Sequence, residues 1–188
     1  DMMKSLDKYY DDNDFYDIKI VSTLGLTKDD IKAFKDLKTV KKAYGSYSKD
    51  VLVEAKNKEL VVKLIGINQD VNKIEILKGR YPKDNTEVIV EQSMINKEKL
   101  KIGDYITVND DILKNKKLKI VGIVKSPLYI TSETGTANRG NTNIGTGKIN
   151  YYAYTNNDNF NIDYYTEIYL TVNGASAETT NSDKYNNI

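Results

Sequence analysis

The segment IEILKGRYPKDNTEVIVEQSMINKEKLKIGDYITV, residues 74–108, holds the turn and strand signals that decide the arrangement of the chain. Its first apolar run ends in Gly79-Arg80-Tyr81-Pro82, where glycine widens the backbone choices and proline fixes φ, so a turn is predicted. Val88-Ile89-Val90 predicts a short strand. Ser93 is placed to cap a brief helical turn, and Ile102-Gly103-Asp104 predicts a second turn that leads into another strand. No catalytic motif occurs in this segment.

Composition limits the classes of function that are open to the chain. It has 188 residues, and 28 lysines and arginines against 27 acidic residues give a net charge of +1, which does not favour a dedicated nucleic-acid-binding protein. Histidine and cysteine are both absent, which excludes thiol nucleophiles, disulfides, histidine-based triads and most zinc sites. The length suits one domain with its own core, with or without an inserted sub-domain.

The compartment has to be inferred from other features, because a chain without cysteine fits both cytosolic proteins and exported bacterial proteins with few disulfides. Lysine far outnumbers arginine, and 15 tyrosines stand against 3 phenylalanines, a bias typical of an AT-rich bacterial genome. The sequence has no run of about 18 apolar residues and no signal peptide. Because it begins with Asp1 rather than methionine, we expect a fragment of a longer protein.

The N-terminal part predicts a strand followed by a capped helix. Residues 1–14 show near-helical spacing and end in an acidic run without the spaced ligands, central glycine and final glutamate of a calcium loop, so a short helix or frayed lead-in is expected. Residues 16–23 alternate as a strand does. Thr27 and Asp30 then form a capping-box pattern with apolar residues on either side, so a helix is predicted to begin there.

The next segments predict a β-hairpin. Residues 40–55 are extended, residues 59–67 read ELVVKLIGI, and a lysine-asparagine-lysine turn joins the two. Strand, helix and hairpin together make a β-α-β-β unit, which predicts an α+β fold of the split βαββ, ferredoxin-like type whose last strand comes from later in the chain. Residues 164–172 alternate in polarity and are the candidate for this returning strand.

One long polar loop separates the later strands. Residues 131–148, TSETGTANRGNTNIGTGK, are rich in glycine, threonine and asparagine and predict a mobile loop. Its glycines suggest a phosphate cradle, but neither a GKS or GKT sequence nor a strand-to-helix context accompanies them. Asn156, Asp158 and Glu167 imitate three positions of a calcium loop, whereas Asn161 stands where that loop requires glycine.

Two further functions stay open from the residues alone. Tyrosines offer an apolar face and a polar tip, so a glycan- or peptide-stacking surface is one interpretation, although tyrosines in strands more often cover a sheet. A glycosidase that uses two carboxylates is the other interpretation, but the sequence marks no pair above the rest. The tyrosines concerned are Tyr44, Tyr47, Tyr129, Tyr151, Tyr152, Tyr154, Tyr164, Tyr165 and Tyr169.

In the order and spacing of its motifs, the sequence resembles the extracytoplasmic core domain of FtsX-like and MacB-like ABC transporter permeases. The resemblance covers roughly residues 16–174. Each motif is weak alone, and their order and spacing carry the resemblance. They are Asp17-Ile18-Lys19-Ile20 with Gly25-Leu26-Thr27, Leu77-Lys78-Gly79-Arg80-Tyr81-Pro82 with Glu87-Val88-Ile89-Val90, Leu100 with Ile102-Gly103-Asp104 and Ile106, Lys119-Ile120-Val121-Gly122-Ile123-Val124, and Ile168-Tyr169-Leu170-Thr171-Val172.

The resemblance implies a division of the chain. Residues 16–71 and 151–174 are expected to form a porter-like βαββ module closed by the returning strand, and residues 72–150 an inserted, small β-rich sub-domain of the sabre type. Residues 1–15 are expected to lead in from a membrane helix. Residues 175–188 are expected to begin a helical extension.

The resemblance also implies a function without catalysis. The domain is expected to couple movement of the membrane helices of its own permease chain, driven by a cytoplasmic ATP-binding subunit, to the binding or release of an extracytoplasmic substrate, protein or peptide. Its expected place is the extracellular side of the cell membrane of a Gram-positive bacterium. No catalytic residue, cofactor, metal or nucleic acid is expected. A secreted or cell-wall-associated glycan- or peptide-binding module is the alternative.

Four residues of the opening segment are interpreted as architectural. Gly79 and Gly103 are expected to set the backbone of the two turns, beside Arg80 and Asp104. Arg80 is expected to pair with a neighbouring side chain.

Overall fold

The computed structural model describes residues 5–8, 18–67, 74–125 and 140–173. These ranges consist mostly of strands and contain two α-helices, which confirms the predicted α+β class. The elements are β1 (Ser5–Lys8), β2 (Ile18–Leu26), α1 (Lys28–Lys35), β3 (Val40–Ser46), β4 (Ser48–Ala55), β5 (Lys58–Ile67), β6 (Ile76–Gly79), β7 (Glu87–Glu91), α2 (Gln92–Glu98), β8 (Tyr105–Val108), β9 (Lys117–Val124), β10 (Tyr151–Asn156), a 3-10 turn (Asn157–Asn159) and β11 (Tyr165–Val172).

The first compact unit contains a four-stranded sheet in the order β1-β2-β11-β3. β11 runs antiparallel to β2, with Ile168 opposite Ile20, so the returning strand expected from the sequence is confirmed. β1 pairs antiparallel with β2 at the edge of the sheet, so the near-helical spacing of this segment was misleading at residues 5–8. A helix this short is marginal on its own, and pairing with an available strand edge gives the backbone its partners instead.

Helix α1 begins where the capping box predicts. The Thr27 hydroxyl accepts the backbone N–H of Asp30 at 3.2 Å, and the Asp30 carboxylate accepts the backbone N–H of Thr27 at 2.8 Å. Two backbone donors that no helical carbonyl can reach are satisfied in this way. Ile31 and Phe34, on one face of the helix, pack against the buried residues of the four-stranded sheet. The local sequence therefore determines both where the helix starts and which face it buries.

The second compact unit is built on a sheet that closes on itself. Its strand order is β6-β9-β7-β10-β5-β4-β8, and β8 pairs with β9 as well as with β4. Val108 of β8 lies opposite Val53 of β4, while Ile106 of β8 lies opposite Leu118 of β9. Strands β9, β7, β10, β5, β4 and β8 thus form a ring, and β6 continues the edge of β9 beyond β8. Closure pairs backbone groups that an open sheet would leave at its edges.

The interior of this ring is the main hydrophobic core. Along β5, Leu60, Val62 and Leu64 belong to the interior cluster, whereas Ile65 and Ile67 belong to a second cluster on the outer surface. Fully burying each of these side chains contributes roughly 1.5–3 kcal/mol. Because β5 is buried on both faces, its sequence is a nearly continuous apolar run rather than an alternating one.

The sheet membership of three strands corrects the division expected from the sequence. The β4–β5 hairpin and β10 were assigned to the βαββ module, but all three lie in the ring, where β10 runs parallel to β5 with Tyr151 opposite Val62. Of the described residues, 5–8, 18–45 and 164–173 belong to one compact unit, and 46–67, 74–125 and 140–163 belong to the other. A strand apolar on both faces needs covered faces and paired edges, and the hairpin pattern alone does not say which sheet supplies them.

The cap of helix α2 also differs from the expectation. Its N-cap is Glu91, whose side chain makes no capping hydrogen bond, and Ser93 already lies within the helix. The Ser93 hydroxyl donates to the Glu91 carboxylate at 2.8 Å. The Glu91 carboxylate is fully buried and accepts the backbone N–H of Tyr152 at 3.1 Å, so it is the stronger acceptor at this end of the helix.

Part of the polar loop expected at residues 131–148 is a defined turn. Asn141 and Lys148 form an isolated β-bridge, and the Thr142 N–H donates to the Gly147 carbonyl at 3.0 Å. Residues 131–139 lie outside the described residues, as do the acidic run at residues 11–14 and the helical extension expected at residues 175–188.

Candidate functional site at the corner between β6 and β7

The corner between β6 and β7 depends on a close approach of two backbones. Gly79 has φ +84°, and a Cβ placed on it would lie 2.2 Å from the carbonyl oxygen of Val121 in β9. The next N–H, that of Arg80, donates to the same carbonyl at 3.0 Å. Only glycine combines this backbone angle with so short a distance. The Gly-Arg-Tyr-Pro sequence is therefore fixed against β9 at its first residue.

Arg80 then forms a bidentate ion pair with Glu87 at the start of β7. Its Nη1 donates to Oε1 at 2.9 Å and its Nη2 to Oε2 at 2.6 Å, and the backbone N–H of Lys83 donates to the same carboxylate at 2.8 Å. Glu87 is 7% exposed, whereas the Arg80 side chain is 42% exposed. The hydrogen bonds from Arg80 lower the pKa of Glu87 to about 2, against the opposing effect of burial. A carboxylate held in this way is not available as a general base or acid.

A polar network connects Glu87 to the loop before β9. The Thr155 hydroxyl in β10 donates to the backbone carbonyl of Glu87 at 3.1 Å, and the Asn159 amide donates to Thr155 at 3.3 Å. The Asn159 side-chain oxygen accepts the backbone N–H of Asn115 at 3.0 Å. Thr155 and Asn159 are fully buried. Each of these side-chain donors has an acceptor, so the network fixes this end of the ring.

The second turn of the opening segment leads from α2 into β8 and is hydrogen-bonded to β9. Gly103 has φ +100° and donates its N–H to the Ile120 carbonyl at 2.8 Å. The Ile120 N–H donates to the Asp104 carbonyl at 2.8 Å, and the Asp104 carboxylate accepts the backbone N–H of Lys101 at 3.0 Å. Gly79, Arg80, Gly103 and Asp104 thus all lie in turns that are hydrogen-bonded to the ring or to their own loop.

Glu98, at the end of α2, is a second well-paired carboxylate. It accepts the Tyr151 hydroxyl at 2.8 Å and the Lys58 ammonium at 3.1 Å. Burial raises the pKa of Glu98, but the hydrogen bonds from Tyr151 and Lys58 lower it by more, so the net shift is downward. Like Glu87, it is an anchor for structure rather than a poised catalytic acid.

The tyrosines singled out by the sequence do not gather on one exposed surface of the described residues. Tyr152, which would be central to such a surface, is only 5% exposed. Burial of the rings disfavours the stacking surface that the alternative function needs. Tyr151, Tyr152, Tyr154 and Tyr169 are buried, Tyr44, Tyr47 and Tyr165 are partly buried, Tyr164 is half exposed, and Tyr129 lies outside the described residues.

A shallow polar groove of about 500 Å³ lies between the turn at residues 141–144 and the start of the β4–β5 hairpin. Its lysines are paired, because Lys49 lies 2.9 Å from Asp110 and Lys63 lies 3.2 Å from Asp50. Because each of the two ammonium groups is paired with a carboxylate, the groove has little positive charge left to attract a phosphate. It therefore does not support phosphate binding by the glycine-rich loop.

The described ranges contain neither a cluster of metal-ligating side chains nor a membrane-spanning helix. Among these residues no group of three or more histidine, cysteine, aspartate or glutamate side chains is placed to hold a metal ion. In the same part of the chain, no helix has both the length and the apolar character needed to cross a membrane.

Sequence reasoning missed the partner of Arg80 and the role of its neighbour Tyr81. Glu87 follows Arg80 by seven residues and is the first residue of an apolar strand. An acidic residue at the start of such a strand was the signal that could have identified the partner of Arg80. The Tyr81 hydroxyl accepts the backbone N–H of Ile74 at 3.1 Å and also donates to the carbonyl of that residue. Nothing in the local pattern indicates that contact.

Comparison with known proteins gives matches at the level of structure. No family model and no curated protein matches the sequence. The extracellular domain of the noncanonic ABC-type transporter YknZ from Gram-positive bacteria is similar over 100% of this chain and 88% of its own, with a TM-score of 0.54 and 16% identity. The periplasmic region of MacB from Actinobacillus actinomycetemcomitans is similar over 86% of this chain and 70% of its own, with a TM-score of 0.51 and 13% identity. The chain therefore has the MacB-like fold of extracellular and periplasmic domains of ABC-type transporters, as the resemblance implied.

Proposed function

We propose that this chain is a non-catalytic extracytoplasmic domain of a bacterial ABC transporter permease. The observation that carries the proposal is the similarity to the YknZ extracellular domain along 100% of this chain and 88% of that domain. A match of this extent covers both compact units rather than a single common supersecondary motif. The Gram-positive source and the attachment to a membrane are part of the proposal.

The state of the buried acids supports a domain without catalysis. Glu87, Glu91 and Glu98 are the described glutamates that lie deepest in or beside the ring, and each accepts hydrogen bonds from identified donors. A glycosidase needs two carboxylates that face a substrate across a cleft, with one of them able to give up a proton. Acids whose donors lower their pKa or fix them in turns serve the fold instead.

The proposed role of the domain is to couple movement of the membrane helices to events outside the membrane. Residues 1–15 would lead in from a membrane helix of the same permease chain, and residues 175–188 would begin a helical extension. A cytoplasmic ATP-binding subunit would drive the membrane helices. The domain would pass their movement to binding or release of an extracytoplasmic substrate, protein or peptide. The ring is suited to receiving such movement, because the buried side chains of its interior form one hydrophobic cluster.

Labelling in intact cells tests the location. These 188 residues contain no cysteine, so Lys97→Cys in the exposed part of α2 introduces the single reactive thiol of a full-length protein in which any cysteine outside them has been replaced by serine. A membrane-impermeant maleimide should label it in intact cells. Met94→Cys is the matched control, because Met94 lies in the same helix and is fully buried, so it should react only after denaturation. Labelling of Lys97→Cys only after lysis would refute the proposed location.

A deletion tests the coupling. Removal of residues 18–173 from the full-length permease should abolish the stimulation of ATP hydrolysis by the extracytoplasmic substrate or partner while leaving basal hydrolysis by the cytoplasmic subunit. Equal stimulation with and without these residues would show that they do not couple the two sides.

A further inference from the structure

The polar groove between the turn at residues 141–144 and the start of the β4–β5 hairpin has the size of a ligand site but an unusual lining. Its volume of about 500 Å³ lies within the range of small-molecule sites, roughly 300–1,000 Å³. Such sites are lined mainly by apolar side chains, whereas Ile144 is the one apolar residue among the described residues that line this groove. The groove therefore suits a ligand that is polar over most of its surface.

Both walls of the polar groove are held in place. On one side, β4 and β5 pair antiparallel along the whole hairpin. On the other side, the Gly147 N–H donates to the Ile144 carbonyl at 2.9 Å and closes the turn. Gly145 seats this turn on the hairpin, because a Cβ there would lie 2.6 Å from Cγ2 of Val61 in β5. A ligand does not have to order these walls when it binds, which lowers the entropic cost of binding.

The charges of the polar groove compensate each other. Lys49 is paired with Asp110, and Lys63 is paired with Asp50, as described above. A charged ligand would have to separate one of these pairs or lie beside a like charge, whereas a neutral ligand leaves both pairs intact. The lining therefore favours a ligand without net charge.

The polar groove also contains hydrogen-bonding groups that are not used within the described part of the chain. Asn141 and Asn143 are exposed, and neither side-chain amide makes a hydrogen bond to another described residue. Each amide offers both donors and an acceptor. Asp50 Oδ1 lies 3.2 Å from the Lys63 ammonium but accepts no hydrogen bond from the described residues, so this carboxylate keeps capacity for a further donor.

This combination of groups matches the chemistry of a sugar ring. Neighbouring hydroxyl groups each carry a donor and an acceptor, so they can bind amides and a carboxylate that lie side by side. A peptide presents such groups only along its backbone, and its recognition depends on pockets for its side chains. A groove with one apolar lining residue favours the sugar.

We infer that the polar groove is a weak binding site for a neutral oligosaccharide. Asn141 and Asn143 bind hydroxyl groups of the sugar, the Asp50 carboxylate accepts a further hydroxyl, and Ile144 contacts the C–H face of a ring. Because these hydrogen bonds replace hydrogen bonds to water, each contributes little and the affinity is low. The inference rests on the proposed extracytoplasmic location for its biological meaning, but binding can be measured on the chain alone.

Titration of the 188-residue chain with chitotetraose, cellotetraose and maltotetraose, followed by the NMR shifts of backbone amides, tests the inference. At least one of these neutral oligosaccharides should shift residues 48–50, 63 and 141–144 saturably. The affinity should be the same at low and at high salt, because no net charge is brought together. Polyphosphate and a capped tetra-alanine peptide, used as charged and peptide probes, should leave these residues unshifted.

Two substitutions in the polar groove should weaken binding. Asn143→Ala removes one exposed amide and should lower the affinity roughly fivefold, as expected for one lost hydrogen bond. Asp50→Asn keeps the shape of the side chain but replaces a carboxylate oxygen by a donor, and it should lower the affinity at least as much. Asn161→Ala is the matched control, because Asn161 is exposed in the same compact unit but does not line the groove. Its affinity should equal that of the unchanged chain.

Several results would overturn the inference. They are the absence of saturable shifts with all three oligosaccharides, shifts confined to residues outside the groove, equal affinities of Asn143→Ala and Asn161→Ala, and tighter binding of the peptide or of polyphosphate. Thermal unfolding of each variant confirms that a lost affinity does not come from a lost fold. None of these results depends on the labelling of Lys97→Cys in intact cells, so failure of this inference and failure of the proposed function can be told apart.

Discussion

The strands of the two compact units show a similar alternation of apolar residues, but one sheet is closed and the other has open edges. In the ring, β8 pairs with β4 and with β9, so the sheet returns to itself. In the smaller unit the sheet stays open, with β1 and β3 as its edges among the described strands. There α1 has no fully buried residue, and Leu24 of β2 is 82% exposed. The two units therefore differ in whether the sheet closes, and not in the apolar pattern of their strands. We expect the closed ring to be the more stable unit.

Two turns of the larger unit need glycine for different reasons. At Gly79 the backbone approaches β9 so closely that a Cβ would lie 2.2 Å from the Val121 carbonyl oxygen, whereas Gly103 is needed only for its positive φ. The smaller unit has its strongest local signal in a helix cap instead. Substitutions at these positions therefore act on different units, and their effects should be unequal.

Gly79→Ala should have the largest effect. The new methyl group would lie 2.2 Å from the Val121 carbonyl oxygen, at a backbone angle that alanine rarely adopts. We expect a loss of about 3–4 kcal/mol in the free energy of unfolding of the ring, measured by denaturant titration.

Gly140→Ala is the control for that substitution. Gly140 also has a positive φ, +90°, but a Cβ there would have no neighbour within 4 Å. Its cost should be about 1 kcal/mol, from the backbone angle alone. If both substitutions cost the same, the close approach to β9 is not what requires glycine at position 79.

The Arg80–Glu87 pair should make the ring sensitive to acid. In the folded chain the pKa of Glu87 is about 2, below its ordinary value of 4.5. A lowered folded-state pKa stabilises the fold above pH 4.5, and this stabilisation is lost as the pH falls from 4.5 toward 2. The loss should amount to roughly 2–3 kcal/mol, and Glu87→Gln should remove most of this part of the pH dependence.

An exposed pair provides the comparison for the acid experiment. Asp111 and Lys116 also form an ion pair, but the Asp111 side chain is 97% exposed. Solvent screens such a pair, so Asp111→Asn should leave the pH dependence of unfolding unchanged. An acid transition that is as steep in Glu87→Gln as in the unchanged chain would assign the sensitivity to other carboxylates, of which Glu98 is the first candidate.

The sequence allows the local parts of this fold to be predicted. Thr27 and Asp30 lie three residues apart with apolar neighbours, and all the atoms of the cap come from those few residues. Gly79 and Gly103 stand at turns because the angles there exclude most other residues. The β11 strand was also recognisable as a returning strand, since its alternation had no partner nearby in the chain.

Ring closure was not predictable from local patterns. The pairing of Val53 with Val108 joins residues more than fifty positions apart, and either strand would read the same if it paired elsewhere. The hairpin was assigned to the other sheet for the same reason. Tyr151 and Tyr152 alternate between the interior and the outer cluster, but which of the two faces the core depends on that long-range pairing.

Gly103→Val should have an intermediate effect on the ring. At φ +100° a β-branched residue is strained, yet a Cβ there would have no neighbour within 4 Å. The cost should therefore come from the backbone alone, at about 1–2 kcal/mol, and should be smaller than that of Gly79→Ala. Unchanged thermal unfolding would show that the turn between α2 and β8 relaxes without strain, and that the ring tolerates variation at this turn.

Thr27→Ala should have the smallest effect, and on the other unit. It removes the acceptor of the Asp30 N–H and leaves the helix with one more unpaired donor, at a cost of about 1 kcal/mol. Because Ile31 and Phe34 of α1 pack on the buried cluster of the four-stranded sheet, the loss should appear as faster hydrogen exchange in α1 and β2 with no change in β5 or β9. Thr27→Ser keeps the hydroxyl and should restore protection. If Thr27→Ala instead accelerated exchange in the ring by the same factor, the two units would unfold as one, and closure would not be what distinguishes their stabilities.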